Sequence, residues 1–163
     1  DIMEQWDTIR RSGHKVLLFS SFVKHLELFR SEFEARESQY SWLSGDLTAS
    51  KRKKAIQSFQ ENPDIQSFLI SIKTGGTGLN LTAADYVFIL DPWWNPTTEQ
   101  QAIARAHRIG QKNNVIAMKF ITRDSIEEKI LKLQQRKTQL AEDIIGSSGK
   151  LSIDHGDLDY LLS

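Results

Sequence analysis

The feature that most limits what this chain can fold into is the alternation of short apolar runs with amphipathic stretches. Each run has the length of a buried strand, and most of the stretches between them can form a helix that crosses from one strand to the next. This order is typical of the α/β class, in which helices cover a parallel sheet. The five runs are Lys15–Phe19, Gln39–Leu43, Ile65–Ile72, Asp85–Leu90 and Val115–Ile121.

The amphipathic stretches predict helices that bury one face. After the first run, four apolar side chains recur at helical spacing and are expected to face the sheet: Phe22, Leu26, Phe29 and Phe33. A second helix is predicted to begin after an N-cap at Thr48 and to stop at Asn62-Pro63-Asp64. Its inward-facing residues are expected to be Ala55, Ile56 and Phe59.

Two further helices are predicted in the second half of the chain. The capping-box pattern Thr97-Thr98-Glu99-Gln100, just after Pro96, opens a helix that is expected to run to about Ile109. A longer helix opens at Ser125, and a flexible break at Gly146–Gly149 precedes an acidic tail. The predicted buried positions of the longer helix are Ile126, Ile130, Leu133, Leu140 and Ile144.

Composition excludes several classes of protein. The chain has 163 residues, 21 basic and 21 acidic side chains and no Cys, so thiolate metal sites, thiol catalysis and a disulfide framework are excluded. No apolar run approaches the roughly 20 residues of a membrane span, and we expect no membrane partner. Because the net charge is zero, any nucleic acid must be bound by a local surface rather than by bulk charge.

The glycine-rich segment Lys73–Asn80 follows an apolar run and offers bare backbone amides to a phosphate. It is not a Walker A loop, because Lys73 and Thr74 precede the glycines. It is not a dinucleotide fingerprint either, because Leu81 stands where Gly or Ala is required. A tight turn without a ligand is the alternative explanation.

Basic and aromatic residues supply further candidate contacts. Helical spacing places Gln101, Arg105 and Arg108 on one face, where two guanidinium groups suit phosphate oxygens, although a solvated basic face is the alternative. The basic run Lys51–Lys54 opposes its helix dipole, which favours phosphate contact over simple solvation. In the segment Asp91–Pro96, Trp94 is the better candidate for an exposed contact. Trp93 is as compatible with a buried position as with an exposed one.

Taken together and in this order, these residues resemble one family. Ser71–Gln111 closely resembles motifs V and VI of the Snf2 family of helicase-like DNA translocases, and Lys15–Phe22 resembles its motif IV. Tyr40–Phe59 resembles the segment that follows motif IV in that family. The ending Ala106–Gln111 is especially specific, since the Snf2 branch has Gln where other helicases have Arg. Only Thr74, in place of the usual alanine, departs from the pattern.

The resemblance implies the second of two RecA-like lobes, a three-layer αβα sandwich with a mostly parallel sheet and a C-terminal brace helix. The chain is then expected to divide into an entry helix (1–14), the lobe (15–124), the C-terminal helix (125–145) and a flexible tail (146–163). Because the first lobe and an initiator Met are absent from the sequence, we interpret the chain as a fragment of a longer protein.

The resemblance also implies a set of site residues. ATP with Mg²⁺ would be held mainly by the first lobe, and Arg105 and Arg108 would be the catalytic arginine fingers, with Gln101 and Gly76 also at the nucleotide. Asp91 would couple this site to DNA. The residues implied to contact DNA are Ser20, Ser21, Gly45, Thr48, Arg52, Lys73, Gly75 and Trp94.

The implied function is that of an ATP-dependent double-stranded-DNA translocase that remodels protein–DNA complexes without reading sequence. Its expected partners are duplex DNA, the upstream lobe of the same chain and an unknown DNA-bound protein; the fragment alone should be inactive. The DPWWNP segment resembles microbial members, which makes a nucleosome the less favoured substrate. We expect a cytoplasmic, nucleoid-associated location in a microbe and the nucleus in a eukaryote. The alternatives are a non-catalytic DNA- or protein-binding module and a small-molecule nucleotide enzyme.

Overall fold

A computed structural model of the chain describes residues 2–74, 79–93, 96–106, 114–122 and 125–145, with only the backbone at Pro96 and at 137–145. Helices and strands alternate through the first half and again toward the end. In chain order they are α1 (Ile2–Arg11), β1 (Val16–Ser20), α2 (Val23–Ala35), β2 (Tyr40–Leu43), α3 (Ala49–Glu61), β3 (Ser67–Ser71), β4 (Tyr86–Ile89), α4 (Pro96–Ile103), β5 (Ile116–Lys119) and α5 (Ile126–Ile145).

The five strands form one sheet in the order β2-β3-β1-β4-β5, and every described pair is parallel. The register puts Leu18 beside Leu69 on one side and beside Phe88 on the other, so β1 is the central strand. All five carboxyl ends therefore lie at one edge of the sheet, and the strand order reverses at β1, where open α/β sheets bind their ligands. The predicted RecA-like α/β fold is confirmed.

Both faces of the sheet are covered, which explains why β1 is buried throughout. Alternate residues of β1 serve different faces: Leu17 packs with Phe59 of α3, whereas Leu18 packs with Trp6 and Phe33 of the α1 and α2 layer. Full burial of side chains of this size stabilises the fold by about 1.5–3 kcal/mol each. The helix–sheet–helix sandwich that results is the three-layer arrangement expected.

Several local predictions are confirmed. The Thr48 hydroxyl accepts a hydrogen bond from the Lys51 backbone N–H at 3.4 Å, so it caps α3. Helix α3 ends at Glu61, immediately before the predicted stop. The inward-facing residues of α3 are as expected, with Phe59 fully buried and Ala55 and Ile56 partly buried against it. The predicted helix over 125–145 is observed as α5.

Two predicted core positions are wrong because they lie at helix starts. Phe22 is 64% exposed, since its backbone is extended and its side chain does not follow the helical period that buries Leu26 and Phe33. Ile126, the first residue of α5, is 55% exposed, whereas Leu133 of the same helix is buried. The predicted positions Leu140 and Ile144 lie outside the described side chains.

The helix that follows β4 differs at both ends from the expectation. Helix α4 already begins at Pro96 and ends at Ile103, after which residues 104–106 form a turn. Thr97 therefore lies inside the helix and is not the N-cap of a capping box with Gln100. The Glu99 carboxylate accepts from the Trp93 backbone N–H at 2.7 Å. In the part of the chain that the structure describes, no helix combines the length and apolar character needed to cross a bilayer.

Candidate functional site

The loops after β1, β3 and β4 meet at the carboxyl edge of the sheet, because the strands are parallel and adjacent. Together these loops line a cavity of about 360 Å³, and Ser21, Lys73 and Asp91 all border it. The other walls are apolar or come from the start of α5: Phe22, Pro92, Trp93, Ile126, Glu127 and Ile130. Three residues predicted from separate motifs thus share one site.

Asp91 is the buried acid of this site, only 4% exposed. Its carboxylate accepts from the Ser21 backbone N–H at 2.9 Å and from the Ser21 hydroxyl, and the His25 Nδ1 lies 3.9 Å away. Burial pushes the pKa of Asp91 upward, but the interactions with His25, Ser20 and Ser21 outweigh it and hold the pKa below its ordinary value of 3.8. Asp91 is therefore ionised near neutral pH and holds the loop after β1.

The hydroxyl groups of Ser20 and Ser21 form hydrogen bonds within the protein. Ser20 is fully buried, and its hydroxyl accepts from the Phe22 backbone N–H at 3.0 Å. The Ser21 hydroxyl donates to Asp91. Their contact with DNA phosphates stays a prediction. Lys73, which lines the same cavity, is exposed.

The residues predicted after β2 converge on the start of the glycine-rich segment. Arg52 donates from Nη1 to the Thr74 carbonyl oxygen at 3.4 Å. A Cβ added to Gly45 would lie 3.5 Å from the Thr74 Oγ1, an ordinary van der Waals contact, so the turn after β2 lies close to Thr74. Gly45 and Thr48 are exposed, and the start of α3 lies beside the loop that follows β3. The basic side chains Lys51, Lys53 and Lys54 remain exposed there.

The predicted basic face of α4 is only partly observed. Gln101 is exposed, whereas Arg105 is only 8% exposed, so the two do not share a solvated face. The reason is that α4 ends at Ile103, so Arg105 lies in the turn that follows. The Arg105 carbonyl oxygen accepts from the Leu81 backbone N–H at 3.2 Å, which links this turn to the segment after the glycines. The predicted residues Gly75, Gly76, Trp94 and Arg108 lie outside the described residues.

The donor set suits a phosphate better than a metal. Guanidinium and amide groups, as at Arg105 and Gln101, are phosphate donors. Across the described residues there is no group of three or more His, Asp or Glu side chains that could hold a metal ion. These donors suit phosphate in kind, but Gln101 and Arg105 do not share one face in this structure.

Sequence reasoning missed a buried polar cluster next to the site. Glu99 is 1% exposed, and its carboxylate contacts the Trp93 backbone, Lys119 and Gln134. Trp93 is half-buried and packs against the core. The only local signal was an acidic residue near the start of α4, because Lys119 and Gln134 come from distant positions in the chain.

Comparison with known proteins identifies the family. Residues 2–110 match the helicase conserved C-terminal domain. The solved SWI2/SNF2 ATPase core domain of Sulfolobus solfataricus is 36% identical with a TM-score of 0.72, over 90% of this chain and 30% of that one. The chain is a helicase C-terminal domain of the Snf2 family. Because 36% identity accompanies the shared fold, the likeness extends beyond architecture.

The curated relatives of this Snf2-family domain are much longer than it is. The DNA repair protein rad8 of Schizosaccharomyces pombe is 40% identical over 139 residues, 85% of this chain and 12% of rad8. The chromatin remodeling factor mit1 of the same organism is 42% identical over 151 residues, 92% of this chain and 11% of mit1. The chain thus spans about an eighth of their length, and these fungal relatives are consistent with the microbial type expected.

Proposed function

We propose that this domain is the second ATPase lobe of a Snf2-type motor that moves along double-stranded DNA and remodels protein–DNA complexes. The observation that carries the proposal is the shared site at the carboxyl edge, where Ser21, Lys73 and Asp91 line one cavity. The Leu81–Arg105 hydrogen bond, at 3.2 Å, ties the segment after the glycines to the turn that carries the arginine. This hydrogen bond would couple the proposed DNA-binding loop to the proposed nucleotide-binding turn.

The nucleotide role is assigned to four residues. ATP with Mg²⁺, held mainly by the preceding lobe, would supply the phosphoryl group that is hydrolysed. Arg105 and Arg108 would donate to its phosphate oxygens and stabilise the charge that develops during transfer, with Gln101 and the backbone of Gly76 nearby. Each guanidinium is planar and permanently charged, which suits this role.

The DNA role is assigned to the loops of the same edge and to the start of α3. Lys73, Gly75, Trp94 and Arg52 would contact the backbone of one strand, together with Gly45, Thr48, Ser20 and Ser21. Ammonium groups, hydroxyls and loop amides bind phosphates and do not read bases, so binding should not depend on sequence. Asp91 would couple the two sites, since it holds Ser21 from the segment that leads into α4.

The partners follow from this role. The preceding lobe of the same chain would complete both sites, and this fragment alone should not hydrolyse ATP. The displaced cargo would be a DNA-bound protein, and relatives named for DNA repair and chromatin remodeling support a DNA-associated location, nuclear in a eukaryote. The remodeling relative also leaves a nucleosome among the candidate substrates, although the DPWWNP segment favours others.

The test is ATP turnover by the full-length protein with and without duplex DNA. We expect strong stimulation by DNA, and Arg108→Ala should reduce the stimulated rate by about 10³–10⁵-fold, or roughly 4–7 kcal/mol. Arg136→Ala is the matched control, because Arg136 is an exposed arginine on α5. Unchanged turnover in Arg108→Ala would overturn the arginine-finger role. Absence of turnover in the wild type under both conditions would instead favour the non-catalytic binding module.

A further inference from the structure

The most buried carboxylate near the site belongs to Glu99, the fourth residue of α4. Its Oε1 accepts from the Trp93 backbone N–H at 2.7 Å and from the Gln134 Nε2 at 3.2 Å. Its Oε2 is paired with the ammonium group of Lys119. A buried charge is tolerated only when it is paired and hydrogen-bonded, so these contacts fix the geometry around it.

The cluster joins elements that are far apart in the chain. Glu99 lies on α4, Lys119 ends β5 and Gln134 lies on α5, more than one-third of the way along that helix. The Gln134 amide also donates to the Trp93 carbonyl oxygen. Both backbone polar groups of Trp93 are therefore held, one by α4 and the other by α5.

Trp93, whose backbone is held in this way, lies at the candidate site. Trp93 lies two residues after Asp91 and lines the same cavity, and α4 leads from it toward Arg105. The backbone of an exposed loop normally hydrogen-bonds to water. The backbone of Trp93 is instead hydrogen-bonded by two buried side chains, Glu99 at 1% and Gln134 at 5% exposure. Any shift of α5 across the sheet would therefore move the loop after β4.

We propose that Glu99 and Gln134 are positioning residues that make the placement of the loop after β4 depend on the docking of α5. The inference rests on the proposed function and deepens it: α5 controls how strongly DNA stimulates ATP turnover through Gln134, which does not line the cavity itself. The contact acts on the DNA response because Trp93 borders the DNA-facing cavity. Turnover without DNA does not require the loop to be placed and is unaffected.

The test compares two neighbouring glutamines of α5 in the full-length protein. Gln134→Leu keeps the side-chain volume but removes both hydrogen bonds, while Gln135→Leu is the control at an exposed position. We expect Gln134→Leu to lower DNA-stimulated turnover by about 10- to 100-fold, the cost of a misplaced group near a reaction. Turnover without DNA should stay within about twofold of the wild type. Glu99→Gln, which keeps an acceptor for Trp93, should retain more of the stimulation than Gln134→Leu does.

Hydrogen exchange gives a readout that does not depend on activity. In Gln134→Leu the Trp93 amide should exchange about tenfold faster, because its segment opens more readily, while Gln135→Leu should match the wild type. Unchanged exchange, or faster exchange with normal DNA stimulation, would overturn the positioning role. Equal loss of turnover with and without DNA would also overturn it, since that indicates a general structural defect. If the wild type shows no stimulation by DNA, the proposed function itself fails, and the role of α5 falls with it.

Discussion

The two edges of the sheet use polar side chains for different purposes, half-buried ones at the amino edge and buried ones at the carboxyl edge. At the amino edge they close the ends of helices: Lys15 donates to the Asn62 carbonyl oxygen after α3 at 2.7 Å, and Gln66 donates to the Arg10 carbonyl oxygen in α1 at 3.0 Å. At the carboxyl edge, Asp91 and Glu99 accept from the backbone N–H groups of loops. The amino edge therefore holds the scaffold, whereas the carboxyl edge shapes the site. Substitutions at the amino edge should change stability alone, whereas substitutions of buried groups at the carboxyl edge should change function as well.

The amino-edge side of this comparison is tested most strongly at Trp6, which is fully buried, stacks on Phe33 with ring centroids 4.6 Å apart and donates to the Ser67 hydroxyl at 2.8 Å. Trp6→Ala should lower the free energy of unfolding by about 3–5 kcal/mol, because it leaves a large cavity. Urea unfolding followed by circular dichroism measures this. Trp6→Phe keeps an aromatic ring but loses the hydrogen bond and part of the buried volume, so it should cost about 1–3 kcal/mol. A loss below about 1 kcal/mol in Trp6→Ala would contradict the scaffold role.

A pH series at Asp91 tests the carboxyl edge. The pKa of Asp91 is lower in the folded chain than the ordinary 3.8, so its carboxylate stabilises the fold above that pH, and this contribution is lost as pH falls through the folded-state pKa. Asp91→Asn should therefore lower the free energy of unfolding at pH 7, by about 1–3 kcal/mol, and approach the wild type in acid. Denaturation midpoints from pH 7 down to 3 check this, with the exposed Asp64→Asn as control. A constant difference at every pH would exclude the ionised carboxylate as its source.

The smallest expected effect is at Phe22, the exposed aromatic residue of the carboxyl edge. Phe22→Ala should change the free energy of unfolding by no more than about 0.5 kcal/mol, as is usual for exposed positions. The matched change Phe33→Ala, in the buried part of the same helix, should cost about 3–5 kcal/mol. Thermal or urea unfolding of both variants makes the comparison. Similar losses of unfolding free energy in the two variants would contradict the different roles assigned to the two edges.

Much of the fold could be predicted from the sequence, because it depends on local patterns. Apolar runs indicated the strands, and Thr48 and Asn62 marked the ends of α3. The errors lie where a local pattern stops: Phe22 and Ile126 stand at helix starts, outside the period that buries their neighbours. The helical period also failed at Arg105, since α4 ends before it.

The candidate site was predicted less completely, and the reason is the distance along the chain between its members. Ser21, Lys73 and Asp91 were each suggested by a motif, but their shared cavity follows from the strand order. Glu99 and Gln134 are 35 positions apart, and no spacing rule relates an acid on one helix to an amide on another helix that it contacts only in the folded chain. Burial and pairing of this kind are properties of the folded molecule.

The central place of β1 also affects how the chain folds during synthesis. Val16 pairs with Ser67 and with Tyr86, which is 70 positions further along the chain. At about 5–20 residues per second, the ribosome needs roughly 4–14 s to supply that second partner. Throughout this interval β1, which is buried along its whole length in the folded domain, lacks its neighbour β4. Early packing of α1 and α2 against Val16 and Leu18 would shield one face of this strand until β4 has been made.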